Sequence, residues 1–118
     1  MSGEKNLLGI VGICRGAGKA IVGTDMVCDF LRKNAEKKGK SSAECEIIVL
    51  EASDTSENTH KKISDKCIYY NVKHIRLAST CENLGRAVGK TSTAAVAIAD
   101  RNFCRAVSGK LNETENMQ

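Results

Sequence analysis

Five stretches with apolar residues at helical spacing alternate with four short apolar runs, in the order α-β-α-β-α-β-α-β-α. Short connections join them, so the strands must share one sheet and the helices must cover both of its faces. The pattern predicts a compact three-layer α/β/α sandwich. Leu7, Leu8, Val11 and Cys14 share a helical face until Arg15-Gly16-Ala17-Gly18, where two glycines suit a C-terminal stop. Ala20-Ile21-Val22 reads as the first strand. Gly23-Thr24-Asp25 supplies cap residues for a second helix that turns Val27, Phe30 and Leu31 inward and ends near Lys38. Lys40 to Glu44 reads as a polar loop.

Ile47-Ile48-Val49-Leu50 is a continuous apolar run, as in a strand covered on both faces. Asp54-x-x-Glu57 has the spacing of a capping box for a third helix with Ile63, Cys67 and Tyr70 on its inner stripe. Val72 to Leu77 reads as a strand. Ser79-x-x-Glu82 is a second capping box, opening a helix with Leu84, Ala87 and Val88 that Gly89 stops. Ala94 to Ala99 reads as the last strand, and Asp100 caps a final helix that buries Phe103, Cys104 and Val107 and ends at Gly109. Residues 5–109 are thus expected to form a single domain and 110–118 a frayed polar tail.

No apolar run approaches the roughly 18–20 residues that span a bilayer. Met1-Ser2-Gly3-Glu4-Lys5 lacks the basic and apolar stretches of a secretion signal, so a cytoplasmic location is expected. Cys14, Cys28, Cys45, Cys67, Cys81 and Cys104 contain no C-x-x-C pair and are expected to act as small reduced hydrophobes, not as metal ligands or disulfides.

The net charge of +4 is unevenly spread. Arg15 to Lys40 carries seven bases against Asp25, Asp29 and Glu36; residues 41–59 hold five acids and no base; residues 60–110 hold ten bases against Asp65, Glu82 and Asp100. Two basic blocks around an acidic one permit a basic face.

Gly12-Ile-Cys-Arg-Gly-Ala-Gly18-Lys19 superficially looks like a phosphate-binding loop. Five residues separate Gly12 from Gly18 where that motif needs four, and Ala20 stands where a magnesium-binding hydroxyl belongs. The loop also follows a helix instead of a strand. His60 and His74 are the only histidines; His60 lies in a lysine-rich helix turn and His74 begins a strand, so each is expected at the surface or an edge. Neither belongs to a nucleophilic constellation. No enzyme, cofactor or metal is expected. Phe30, Tyr69, Tyr70 and Phe103 are the only aromatics, too few for a base-stacking single-strand binder. The remaining nucleic-acid option is structured RNA, bound by charge, helix ends and loops.

Several segments in order resemble the kink-turn RNA-binding ribosomal proteins of the L-seven-Ae / L-thirty-e family, and more narrowly its short bacterial branch. They are Leu8-Gly9-x5-Arg15-Gly16-Ala17-Gly18-Lys19, then Gly23, then Asp54 to Tyr70 with Ser56-Glu57-Asn58-Thr59-x-Lys61-Lys62-Ile63-x-Asp65-Lys66-Cys67-x-Tyr69-Tyr70-Asn71-Val72, then Leu84-Gly85-Arg86-Ala87-x-Gly89-Lys90. The resemblance spans about residues 6 to 107 and implies a mixed four-stranded sheet with about five helices. It also implies binding of a kink-turn or similar internal-loop RNA. The N-terminus of the second helix, the loop before it and the Leu-Gly-x-Ala-x-Gly segment would converge on that RNA.

The site residues implied are Lys19, Gly23, Thr24, Asp25, Gly85, Arg86, Gly89 and Lys90, with Arg15 a further candidate. A helix N-terminus turns unpaired N–H groups toward phosphate, and Lys19, Arg86 and Lys90 would neutralise phosphates. The expected partners are structured RNA and the ribosome, with the chain a monomer. Where the family reads Gly-Thr-Asn-Glu-x-x-Lys, this chain has Gly23-Thr24-Asp25-Met26-Val27-Cys28-Asp29. Asp25 cannot donate as an amide does, Met26 offers no strong polar contact, and Asp29 reverses a charge. These changes motivate an alternative: a ribosome-assembly or protein-interaction module that keeps the fold with weakened kink-turn specificity.

Overall fold

The computed structural model describes residues 2–38 and 47–116, so the expected loop at Lys40 to Glu44 and Cys45 lie outside the described residues. Its elements are α1 (Ser2–Gly16), β1 (Ala20–Val22), α2 (Thr24–Lys38), β2 (Ile48–Glu51), α3 (Glu57–Tyr69), β3 (Lys73–Arg76), α4 (Cys81–Ala87), β4 (Ala95–Ile98) and α5 (Arg101–Asn116). The four strands form one mixed sheet in the order β1-β4-β2-β3, with β1/β4 and β4/β2 antiparallel and β2/β3 parallel.

The two central strands, β2 and β4, are buried along their whole length, while β1 and β3 form the edges. Side chains alternate across a strand, so each central strand feeds two cores. Ile48, Leu50, Val96 and Ile98 pack with Leu7, Val11, Leu84, Val88, Cys104 and Val107 from α1, α4 and α5. Val49, Ala95 and Ala97 pack on the other face with Val27 and Leu31 of α2 and Ile63 and Cys67 of α3. This is the three-layer sandwich expected from the alternation. No helix among the described residues is long and apolar enough to cross a membrane.

Cys14, Cys28, Cys67 and Cys104 are buried free thiols, and Cys81 is partly buried. Burial, ahead of nearby charges, pushes Cys14 and Cys67 up to about 11, which keeps them protonated at neutral pH.

Beyond one-residue shifts at the ends of β2, β3 and β4, three local boundaries differ from the sequence expectation. The N-cap of α3 is Ser56, whose hydroxyl accepts from the Thr59 N–H, and not Asp54. Asp54 instead reaches across the fold, accepting from the Cys81 N–H at 2.7 Å. That bond lies at the start of α4, where the N-cap is Thr80 and not Ser79. The Ser53 N–H donates to the Ser79 carbonyl at 2.8 Å, which fastens residue 79 to the segment after β2, and α4 begins one residue later.

The third difference is α5, which passes through Gly109 and continues to Asn116. An interior glycine costs a helix about 1 kcal/mol relative to alanine, which is not enough to end one when lysine, leucine and glutamate follow and no proline intervenes. The helix thus runs on past the expected stop at Gly109, through residues 110–116.

Candidate nucleic-acid interface

The carboxyl ends of β1, β2 and β3 and the start of β4 lie at one end of the sheet, because β4 runs antiparallel to its neighbours. Alternation of strand and helix brings the N-termini of α2, α3 and α4 to this same end. Here the Ala95 carbonyl accepts from the Gly23 N–H at 2.9 Å and from the Thr93 hydroxyl at 3.1 Å. One carbonyl thus joins the β1–α2 junction to the α4–β4 loop. Gly23 holds a positive φ of 105°, which turns the chain sharply from β1 into α2.

Gly85 fixes how closely α4 approaches its following loop. A Cβ at this position would lie 2.4 Å from Ser92 Cα, where no backbone atom can move aside cheaply. The Lys90 N–H donates to the Gly85 carbonyl at 2.8 Å, and Gly89 takes a φ of 78° to close the turn. This geometry leaves Arg86, Gly89 and Lys90 exposed. Arg86 donates to Glu82 one helical turn earlier at 3.0 Å, an exposed pair that water and phosphate can open.

At the start of α2, Asp25 and Met26 are exposed and Thr24 is partly covered. Lys62 of α3 donates to Asp25 at 2.7 Å, a contact that raises the Lys62 ammonium above its ordinary 10.5. Asp29 pairs with Arg32 at 2.7 Å and Lys33 at 3.1 Å on its own helix, and these hydrogen bonds hold its carboxyl below the ordinary range. Asp25 and Asp29 are therefore each balanced by a cation.

Gly23, Thr24 and Asp25 lie at this end of the sheet, and Gly85, Arg86, Gly89 and Lys90 belong to the α4–β4 segment that Thr93 fastens to Ala95 there. Lys19 is not with them. It precedes β1, where its carbonyl accepts from Ala99, about 13 Å from Gly23 along a strand rising about 3.3 Å per residue. The segment before it closes a helix, with the Gly18 N–H donating to the Arg15 carbonyl and the Lys19 N–H to that of Cys14. It does not open a helix as a phosphate loop must.

In sequence, the chain is similar to the RNA-binding protein YlxQ of Bacillus subtilis (strain 168), with 36% identity over 94 residues that cover 80% of this chain and 83% of that protein. The chain belongs to the YlxQ family. A YlxQ from Enterococcus faecium is 32% identical over 102 residues, covering 86% of this chain and 87% of the relative. No family model matches the chain. The YlxQ fold seen here is shared with a protein with unknown function from Bacillus halodurans C, at a TM-score of 0.68 and 24% identity, covering 90% of this chain and 96% of that one. It is also shared with the Giardia lamblia 15.5kD RNA binding protein, at a TM-score of 0.67 and 15% identity, covering 100% and 92% of the two chains.

One cluster has no signature in the sequence. Glu51, the last residue of β2, is fully buried, and its carboxylate meets both histidines. His60 Nδ1 lies 2.9 Å from each carboxylate oxygen and His74 Nε2 lies 2.7 Å from Oε1. Thr55 donates to Oε2, and Arg76 Nε lies 3.9 Å from it. Burial pushes the Glu51 carboxyl up, but hydrogen bonds from Thr55, His60 and His74 outweigh it and hold the group below its ordinary value of 4.5. His74 lies on the edge strand β3 and His60 is partly exposed, as expected, but both are also partners of a buried acid. Glu51, His60 and His74 are nine and fourteen residues apart, a spacing that carries no local signal.

Proposed function

We propose that the chain binds a structured RNA, of the kink-turn or similar internal-loop class, at the end of the sheet formed by the β1–α2 junction and the α4–β4 loop. The observation that carries this is the shared Ala95 carbonyl, which holds the α2 N-terminus beside a glycine-built loop with exposed Arg86 and Lys90. Helix N–H groups and close backbone approach suit phosphate at a distorted RNA segment, and the two cations add affinity without reading sequence. The YlxQ relatives are named as RNA-binding proteins, which supports the same reading. The Asp25–Lys62 pair removes a net negative charge from the approach path.

On this reading the RNA is ribosomal or ribosome-associated, the chain acts as a monomer in the cytoplasm, and no catalysis is involved. The test is equilibrium binding of a kink-turn RNA and a plain duplex of equal length at two salt concentrations. Tighter binding to the kink-turn, weakening as salt rises, is expected. Equal affinity for both RNAs would support the protein-interaction alternative instead.

A further inference from the structure

The Glu51 cluster is built on a rigid frame. Glu51 ends β2, His74 lies on the adjacent parallel strand β3, and His60 sits in the first turns of α3, the helix that connects the two strands. The donor atoms of the three side chains all lie within 4.8 Å of one another. A fully buried carboxylate is usually matched to a lysine or arginine. Here its nearest partners are two imidazoles and a hydroxyl, and the Arg76 guanidinium stands off at 3.9 Å while donating to the Ser53 carbonyl at 3.1 Å.

We propose that Glu51, His60 and His74 form a site for one divalent transition-metal ion of the zinc class. Two imidazole nitrogens and one carboxylate oxygen are a donor set such ions take in open sites, leaving a fourth position for water. Side-chain exposures of 38% for His60 and 18% for His74 give that position access to solvent, while the carboxylate behind them is fully covered. Metal–ligand bonds of about 2.0–2.2 Å put tetrahedral ligand atoms roughly 3.3 Å apart. The present 2.7–2.9 Å contacts are hydrogen bonds, so each side chain must open by about half an ångström to admit an ion.

The ionised Glu51 carboxylate accepts from both rings. A neutral imidazole that turns its lone pair to a metal moves that proton to its other nitrogen, so neither ring need lose its proton altogether. Among the described residues, Arg76 is the nearby positive charge that opposes a dication. Among the described residues no thiol belongs to the cluster, and burial pushes the Cys14, Cys67 and Cys81 thiols up to about 11.

The site is tested by titrating the full chain with Zn²⁺ in a Cys45→Ser background, alongside the His60→Asn/His74→Asn double variant. One equivalent is expected to bind, with affinity reduced at least tenfold in the double variant, and Zn²⁺ should raise the unfolding temperature of the parent alone. Co²⁺ should give a spectrum without a thiolate charge-transfer band. Equal Zn²⁺ binding by parent and double variant, or a thiolate band, overturns the proposal. Should the double variant fail to fold, ¹⁵N spectra of the parent's histidine rings decide. Zn²⁺ must shift His60 Nδ1 and His74 Nε2, and unmoved ring signals overturn the proposal as firmly.

Discussion

Lys62 of α3 and Asp25 in the first turn of α2 are joined by a 2.7 Å ion pair across two helices. The pair places a cation of α3 at the proposed RNA end of the sheet and cancels the charge of an acid that would repel phosphate. Replacing Lys62 by alanine is expected to weaken RNA binding by roughly threefold or more at low salt while leaving the unfolding temperature nearly unchanged, because both partners are exposed. Asp25→Asn is expected to shift affinity the other way. Parallel binding and thermal measurements on both variants check this.

Gly85→Ala is expected to destabilise the chain by about 1–3 kcal/mol, since the new methyl must displace backbone at Ser92. Urea denaturation gives the stability change. RNA affinity of the folded fraction should fall as well, because the same contact sets the position of the α4–β4 loop.

Gly109→Ala is expected to have the opposite effect, a gain of about 0.5–1 kcal/mol. Residue 109 lies inside α5 and is exposed, and a methyl group there would meet nothing within 4 Å. Were the helix to end at Gly109, alanine would bring no such gain, so denaturation of this variant separates the two descriptions.

Glu51 should make stability depend on acid. Its native carboxyl titrates below 4.5, so the unfolded chain takes up a proton first as pH falls. The contribution is present in full above about pH 4.5 and is lost as pH drops through the lower native value. Glu51→Gln keeps the shape but loses the charge-assisted bonds. It should be about 1–3 kcal/mol less stable at neutral pH and show a flatter acid limb in denaturation curves taken from pH 7 downward.

Most of the fold is legible in the sequence because it rests on periodicity. The apolar runs at Ile47–Leu50 and Ala94–Ala99 hold the central strands Ile48–Glu51 and Ala95–Ile98, buried on both faces, and Val27, Leu31, Ile63 and Cys67 lie on the inner faces where helical spacing puts them. Boundaries are less legible where long-range bonds decide them. Asp54 looks like a local cap in sequence, yet it serves Cys81, twenty-seven residues away. The candidate interface is legible through its glycines and basic residues, except that spacing alone cannot show β1 separating Lys19 from Gly23. Nor can it show the compensation of Asp25 by Lys62, thirty-seven residues on. The Glu51–His60–His74 cluster is invisible for the same reason, since parallel pairing of β2 and β3 creates it.

The central claim is that RNA meets the chain at the end of the sheet where Gly23 and Thr93 share the Ala95 carbonyl. The most direct measurement is backbone amide NMR of the ¹⁵N-labelled chain titrated with a kink-turn RNA. Shifts and broadening are expected at Gly23 to Met26 and Gly85 to Thr93, with Lys19 and Ala99 at the other end of β1 little changed. Perturbations centred on Lys19 and Ala99, or none at saturating RNA, would contradict it.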